Sequence, residues 1–379
     1  MKIIISVLLT LIVLILLIIL FTFTGEPDYS LESRDIEIEW IKYKEKFNKN
    51  YEEPDENERR KQLFTKSRNF IKEHNQRYAK GLESYNLGLN KYADLTDQEY
   101  IGSVNKHVDE TDLSLINDID DHHDDNGIDE DYGNLNNFIN VTDEQKNFIS
   151  RNTIEYNYSY IDNIPDNVNW VKLGYDNPVL DQGNCGSCYI FSSLSAIEAH
   201  YFIKYKTLVQ LSHQELLDCS HMYGNYGCDG GYMEDVYTYI MLHGIGLADQ
   251  NPYLGTDSNQ CKQRKPRIYV KKKFYSGKMN ELELKEVIAR YGPVTSSINA
   301  GLDTFKFYKS GLYYDRNCHK GKLEHGVATV GYGITEKNKD YWLIRNSFGP
   351  NWGENGYMRI ARNRDNHCGL ATYYLFPQF

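Results

Sequence analysis

The chain has 379 residues, 41% of them hydrophobic and 25% charged, and a formal net charge of -11. That length allows two or three domain-sized units, and the hydrophobic share supports a packed core. The negative balance argues against nucleic acid as a partner, because phosphate binding needs a basic surface; the 32 tyrosines suit a peptide-binding surface without being specific for one.

The first element is apolar. Residues 3–23 carry no charge, and the only polar residues among them are Ser6, Thr10 and Thr22. The run is long for a secretory h-region of about 7–15 residues and close to the roughly 20 that span a bilayer. A cleaved signal peptide and a retained membrane anchor both fit, with Thr22 and Thr24 as a mediocre cleavage site. Either delivers the chain to an oxidising lumen. Lys2 before the run and Glu26, Asp28 and Glu32 after it favour a cytosolic N-terminus.

From about Ser33 to Asn75 the chain is charged and helix-prone. Glu56, Arg60, Phe64, Ser67, Ile71 and Asn75 recur every three or four residues, which predicts one face of a helix. Residues 88–94 read as a short strand leaving a turn, and Thr96, Asp97 and Glu99 as a helix start. Between about Val104 and Asp162 the composition is that of an acidic, disordered linker. A calcium loop in the run Asp120–Asn126 fails: with Gly127 as its invariant glycine, His122 takes the first ligand position and Gly133 replaces the bidentate Glu. His122 and His123 read as solvated, so no metal or cofactor is expected. Asn140-Val141-Thr142 and Asn157-Tyr158-Ser159 are glycosylation sequons.

The segment from about Ile164 to Phe379 has helical patterning first (Ile190, Leu194, Ile197, Tyr201) and strand-like alternation later (Val327–Gly333, Tyr341–Ile344). That order suggests an α+β arrangement with a cleft between two subdomains. All seven cysteines lie here, and an odd count in an oxidising compartment leaves pairs plus one free thiol, with the pairing open.

Gln182-Gly183-Asn184-Cys185-Gly186-Ser187-Cys188-Tyr189 precedes the helical pattern. A zinc half-site lacks a second matching pair, and a redox motif lacks the βαβ context. The third reading puts Cys188 at a helix N-terminus, where the macrodipole and free N–H groups stabilise a thiolate. Such a nucleophile needs an imidazole and something to orient it. His325 on a strand-like run and Asn346 in Asn346-Ser347-Phe348-Gly349 supply both, the Asn oxygen being expected to accept the imidazole Nδ1–H. His325 alone would read as structural; the three together point to catalysis.

Cys185-Gly186-Ser187-Cys188-Tyr189, the Cys228-Asp229-Gly230-Gly231 stretch and the blocks around His325 and Asn346 resemble the papain-like cysteine proteases. The branch is cathepsin L-like with an inhibitory propeptide, because the 56–75 helix pattern and Gly88-x-Asn90-x-Tyr92-x-Asp94 match its prosegment motifs, with Ser67 for Asn and Tyr92 for Phe. The resemblance covers about Trp40–Asp97 and Ile164 onward. It implies an α+β, papain-like fold of two subdomains, a helical left lobe and a β-barrel-like right lobe, behind a mainly helical prodomain. The implied divisions are a leader at 1–25, prodomain at 26–103, flexible activation linker at 104–163 and mature peptidase at 164–379.

The resemblance further implies an endopeptidase in which Cys188 forms a thioester, His325 transfers the proton, Asn346 orients His325, and Gln182 with the Cys188 N–H stabilises the oxyanion. Gly230 and Gly231 would line the cleft, and Met233, Ser297, Gly326 and Tyr373 the specificity pocket, made shallow and partly polar by Tyr373. It pairs Cys185 with Cys228, Cys219 with Cys261, and Cys318 with Cys368, leaving Cys188 free. Tyr189 and Phe348 stand where relatives carry Trp, which bears on efficiency. The expected partners are protein or peptide substrates and the chain's own propeptide, in a monomer of the secretory pathway or an acidic vesicle, with protonation of His74, His107 and carboxylates loosening the prodomain. A catalytically weak lumenal binding protein is the alternative. Exopeptidase action would need an occluding insertion, and none is recognisable.

Overall fold

The computed structural model describes residues 31–104, 141–156, 163–258 and 260–379. The leader, His107, the His122–His123 run and the sequon residues Asn140 and Asn157 lie outside them. Among the described residues no helix is long and apolar enough to cross a membrane. Two units divide the chain, Met1–Thr65 and Lys66–Phe379.

In the first unit, α1 (Leu31–Phe47) is followed by the opening turns of α2 (Pro54–Ala79). Pro54, Asp55 and Glu56 start α2 where a missing N–H is harmless and acidic groups meet the positive helix end. Trp40, Tyr43 and Phe64 are buried against one another, with Phe64 centred 5.4 Å from Trp40 and 4.8 Å from Tyr43. Glu56 bonds Arg59 and Arg60 at 2.7 and 2.6 Å, and those bonds hold its carboxyl down at about 2.

In the second unit the end of α2 grips β1 (Tyr85–Leu87). Asn75 donates to the Leu87 carbonyl and accepts from the Leu87 N–H, both at 2.9 Å, and His74 Nε2 bonds the Tyr85 carbonyl at 3.0 Å. The strand therefore precedes Gly88, where the sequence suggested it would follow. Asn90 is the reason: its side chain accepts from Tyr92 N and its carbonyl from Ala93 N, each at 3.1 Å, folding residues 90–93 into a turn. Thr96 and Glu99 then form a reciprocal capping box that starts α3 (Asp97–Val104).

Residues 141–156, expected to be disordered, are folded. Thr142 and Gln145 cap α4 (Asp143–Asn152), which runs into β2 (Thr153–Glu155). The acidic run that suggested disorder lies upstream; this stretch carries its own cap and apolar anchors, Ile149 and Tyr156, both buried.

The remainder opens with β3 (Val168–Asn169), then the helices α5 (Cys188–Tyr205), α6 (His213–Cys219) and α7 (Met233–His243). Residues 188–200 of α5 are all buried, so it is a central helix rather than an amphipathic one. Ile190, Leu194 and Ile197 pack with Leu216, Leu217, Val236 and Ile240 into the core of a helical lobe. The other lobe is a sheet of β4 (Lys272–Ser276), β5 (Val294–Ile298), β6 (Tyr308–Tyr313), β7 (His325–Ile334), β8 (Asp340–Arg345), β9 (Tyr357–Ala361) and β10 (Tyr374–Gln378). Its spatial order is β1-β6-β9-β8-β7-β5-β10-β4-β2, with β3 pairing β7. The pairings are antiparallel except β6 with β9 and β2 with β4. Strands from the N-terminal part of the chain thus close both ends. Between β4 and β5 lies α8 (Glu281–Arg290), capped by Asn280.

Candidate active site

Cys185 is bonded to Cys228, and the Gly186 N–H donates to the Cys228 carbonyl at 2.8 Å. This fixes the approach to α5, so that Cys188 is its first residue. The other disulfides are Cys219–Cys261 and Cys318–Cys368, and Cys188 is the free thiol. His325 opens β7, and the N–H of the next residue, Gly326, reaches the Cys188 Sγ at 3.4 Å. The first residues of the central helix and of the longest strand therefore abut across the two lobes.

Asn346 follows the end of β8. Its Oδ1 accepts from His325 Nε2 at 2.7 Å and from the Ser347 N–H at 2.8 Å, and two donors on one atom identify it as the amide oxygen. The sequence reading had Asn346 on Nδ1; the bond is to Nε2. The reversal follows from placement: Nδ1 is left buried and without a hydrogen-bond partner among the described residues. Burial pushes the Cys188 thiol up to about 12, offset in part by the Gly326 N–H, and pushes His325 down to about 4 against the opposing pull of Asn346. Glu324, next to His325, is pushed up to about 7 by its burial.

Gln182 is positioned by a crossing of two loops: its N–H donates to the Ser347 carbonyl at 2.8 Å, and its Oε1 accepts from Ser347 Oγ. Ser347 was not singled out in sequence, though it lies between Asn346 and Phe348. Gln182 Nε2 donates to the carbonyls of Cys185 and Ser103, each at 2.9 Å. Ser103 is in the last turn of α3, whose final carbonyls have no partner within the helix and carry its negative dipole end. The N-terminal segment therefore lays an electron-rich carbonyl against the Gln182 Nε2–H.

Phe348, buried, lies 5.0 Å from the His325 ring, with Phe305 at 6.1 Å from the same ring. Tyr92 and Tyr100 pack edge-on against Phe348 at 5.1 and 6.3 Å, so this substituted aromatic is also a docking point for the segment above it. Tyr189 points elsewhere: its hydroxyl donates to the Gly227 carbonyl at 3.1 Å, tying α5 to the loop that carries Cys228.

Gly231 has a local structural reason, since a Cβ there would fall 2.3 Å from Asn225 Oδ1 and 2.9 Å from the Tyr189 ring. Gly230, at φ 119°, adopts a conformation that favours glycine. Met233, Ser297, Gly326 and Tyr373 come together. Ser297 is the cross-strand partner of Gly326, its N–H bonds the Tyr373 carbonyl at 3.2 Å, and a Cβ on Gly326 would lie 3.3 Å from Met233 Sδ. The Tyr373 hydroxyl donates to Glu234 at 2.9 Å, and Glu234 pairs with buried Lys273 at 2.8 Å. The polar tip of Tyr373 is thereby engaged by a neighbouring ion pair.

Comparison with known proteins gives this geometry a context. Residues 164–378 match the papain family of cysteine proteases and residues 40–100 the cathepsin propeptide inhibitor domain. A cathepsin L-like peptidase of Aedes aegypti is 37% identical, the match covering 90% of this chain and 93% of that protein. Human cathepsin L2 is 32% identical over 91% of this chain and 93% of its own. The solved structure of digestive procathepsin L 3 of Tenebrio molitor larval midgut superposes with a TM-score of 0.75 at 30% identity, over 92% of this chain and 100% of that one. The chain belongs to the papain family of cysteine proteases, as a cathepsin L-like endopeptidase carrying its own inhibitory propeptide.

Proposed function

We propose that hydrolysis runs through Cys188, His325 and Asn346. The observation that carries this is the arrangement of His325, with Nε2–H held by Asn346, Nδ1 buried and unbonded, and the adjoining Gly326 N–H on the Cys188 sulfur. With the Cys188 proton already on Nδ1, the thiolate attacks the scissile carbonyl. The oxyanion receives the Gln182 Nε2–H and the Cys188 N–H. Nδ1 then returns the proton to the departing amine, leaving a thioester, and a water deprotonated by the same nitrogen hydrolyses it. Met233, Ser297, Gly326 and Tyr373 line the specificity pocket, and Gly230 and Gly231 the wall beside it.

In the zymogen the covering segment keeps the thiol and imidazole neutral and blocks Gln182. Release lets water return and the thiolate–imidazolium pair form. Among the described residues, Lys91 pairs with Asp181 and Lys306 with Asp97 (3.7 Å) between the segment and the peptidase, contacts that release must break, and an acidic compartment is the proposed place of that release. The three disulfides, the apolar leader and the sequons support a route through the secretory pathway, with glycans at Asn140 and Asn157.

The test is labelling of the purified zymogen with an epoxysuccinyl thiol probe at pH 5 and pH 7. Label should appear on the shortened chain, sooner at pH 5, and vanish in Cys188→Ala. Unlabelled but processed wild-type protein would refute the catalytic assignment, and equal rates at the two pH values would refute acid release alone.

A further inference from the structure

Residues 141–156 fall between the two family matches, after the inhibitor domain and before the protease domain. They nevertheless form an integral part of the protease sheet. β2 runs parallel to β4 with Thr153 opposite Lys273, Ile154 opposite Phe274 and Glu155 opposite Tyr275, and the Tyr156 N–H donates to the Tyr275 carbonyl at 2.8 Å. Lys278 pairs with Glu155 at 3.2 Å and bonds the Tyr156 carbonyl at 3.4 Å. The Tyr156 ring is buried edge-on against Phe376 and Tyr291, at 5.7 and 5.9 Å, and α4 seats Ile149 at 2% exposure. These partners belong to the protease domain, and none of them is a residue of the active site.

The contrast with the inhibitor segment is functional. Ser103 lies on Gln182, so that segment must leave before substrate enters. The hydrogen bonds, ion pair and ring contacts of residues 141–156 given above reach no active-site residue, and their departure would bare the β4 edge together with Phe376 and Tyr291. A protease cleft takes an extended strand and pairs with its backbone; a capped helix followed by a paired strand does not offer one. The segment also precedes the protease domain in the same chain, which keeps its effective concentration at the β4 edge high.

We infer that residues 141–156 stay on the protease after activation as a permanent edge strand, so that the cut freeing the inhibitor lies upstream of Val141 rather than beside Ile164. Sequencing and intact mass of the probe-labelled enzyme, matured from full-length zymogen at pH 5, test this. The expected N-terminus is at or before Val141. If a second cut falls at 157–163, the 141–156 peptide should co-elute with the enzyme on a sizing column. A labelled enzyme starting at 157–164 and free of that peptide would overturn the inference. Ile149→Asp, which unseats α4, should move the N-terminus to 157–164 and lower the melting temperature of the mature enzyme. An unchanged N-terminus in that variant would equally overturn it. Label reports on the thiol and the N-terminus on the segment, so the two readings fail separately.

Discussion

At the scale of single residues, much of the site was legible. Cys188, His325, Asn346 and Gln182 stand in short blocks whose residue types suit one reaction, and the structure gathers them where two lobes meet. Which imidazole nitrogen faces which partner was not legible, because it depends on the direction from which β8 delivers Asn346 to β7. The roles of Tyr189 and Phe348 were similarly hidden: one ties α5 to the Gly227 loop and the other receives the prosegment tyrosines. Under the proposed mechanism Gln182 has two jobs, one in each state. Gln182→Ala should lower kcat/KM of the mature enzyme about 10²–10³-fold, the usual loss for one oxyanion donor, and should also speed loss of the prosegment. A variant with normal turnover would show that Gln182 serves only the zymogen. Tyr373 sets the second expectation. If Tyr373 floors the proposed specificity pocket, Tyr373→Ala should raise cleavage of substrates with Phe or Leu next to the cleaved residue about tenfold or more over those with Ala there. No change in that ratio, read with a matched peptide series, would take Tyr373 out of the pocket.

At the scale of elements, the helices with explicit signals were readable: the 56–75 stripe for α2, the Thr96–Glu99 box for α3, the apolar pattern for α5. Two were not. The strand before Gly88 is made by Asn75 from a different element, and the order within 141–156 depends on an edge offered by β4, more than a hundred residues later. Asn75 joins α2 to β1 through two hydrogen bonds on one residue of the strand. Losing both partners leaves two backbone groups unsatisfied, at about 1–3 kcal/mol each if water cannot reach them. Asn75→Ala should therefore raise the activity of uncleaved zymogen at pH 7 about tenfold or more. Unchanged latency, measured with a fluorogenic peptide on an uncut chain, would show that β1 holds without this clamp.

At the scale of the whole molecule, buried titratable groups shape the response of the fold to acid. Burial raises Glu198 and Glu324 to about 7 and Asp235 to about 8, and lowers His200, His213 and His325 to about 4. The carboxyls hold their protons more tightly when folded, so their stabilisation is complete below their unfolded values and lost as pH rises through 7 and 8. The histidines resist protonation when folded, so theirs is complete above about 6.5 and lost as pH falls toward 4. Between about pH 4.5 and 6.5 three slopes of each sign oppose and largely cancel. Thermal melts of the Cys188→Ala zymogen should be level across that window and fall above pH 7. A melting temperature that climbs steadily from pH 4.5 to 6.5 would show that the histidines dominate.

The pairing of β1 with β6 has a bearing on how the chain folds at all. Ser84 Oγ bonds the Leu312 carbonyl across 228 residues of sequence, a long-range contact of the kind that forms slowly. The prosegment leaves the ribosome first, so when β6 emerges its partner is already waiting. A chain begun at the peptidase would meet the same moment with a row of open N–H and C=O groups, the template on which neighbouring chains aggregate. Peptidase made without the prosegment should therefore give less soluble protein than the full chain, with the bare β6 edge as the point of association.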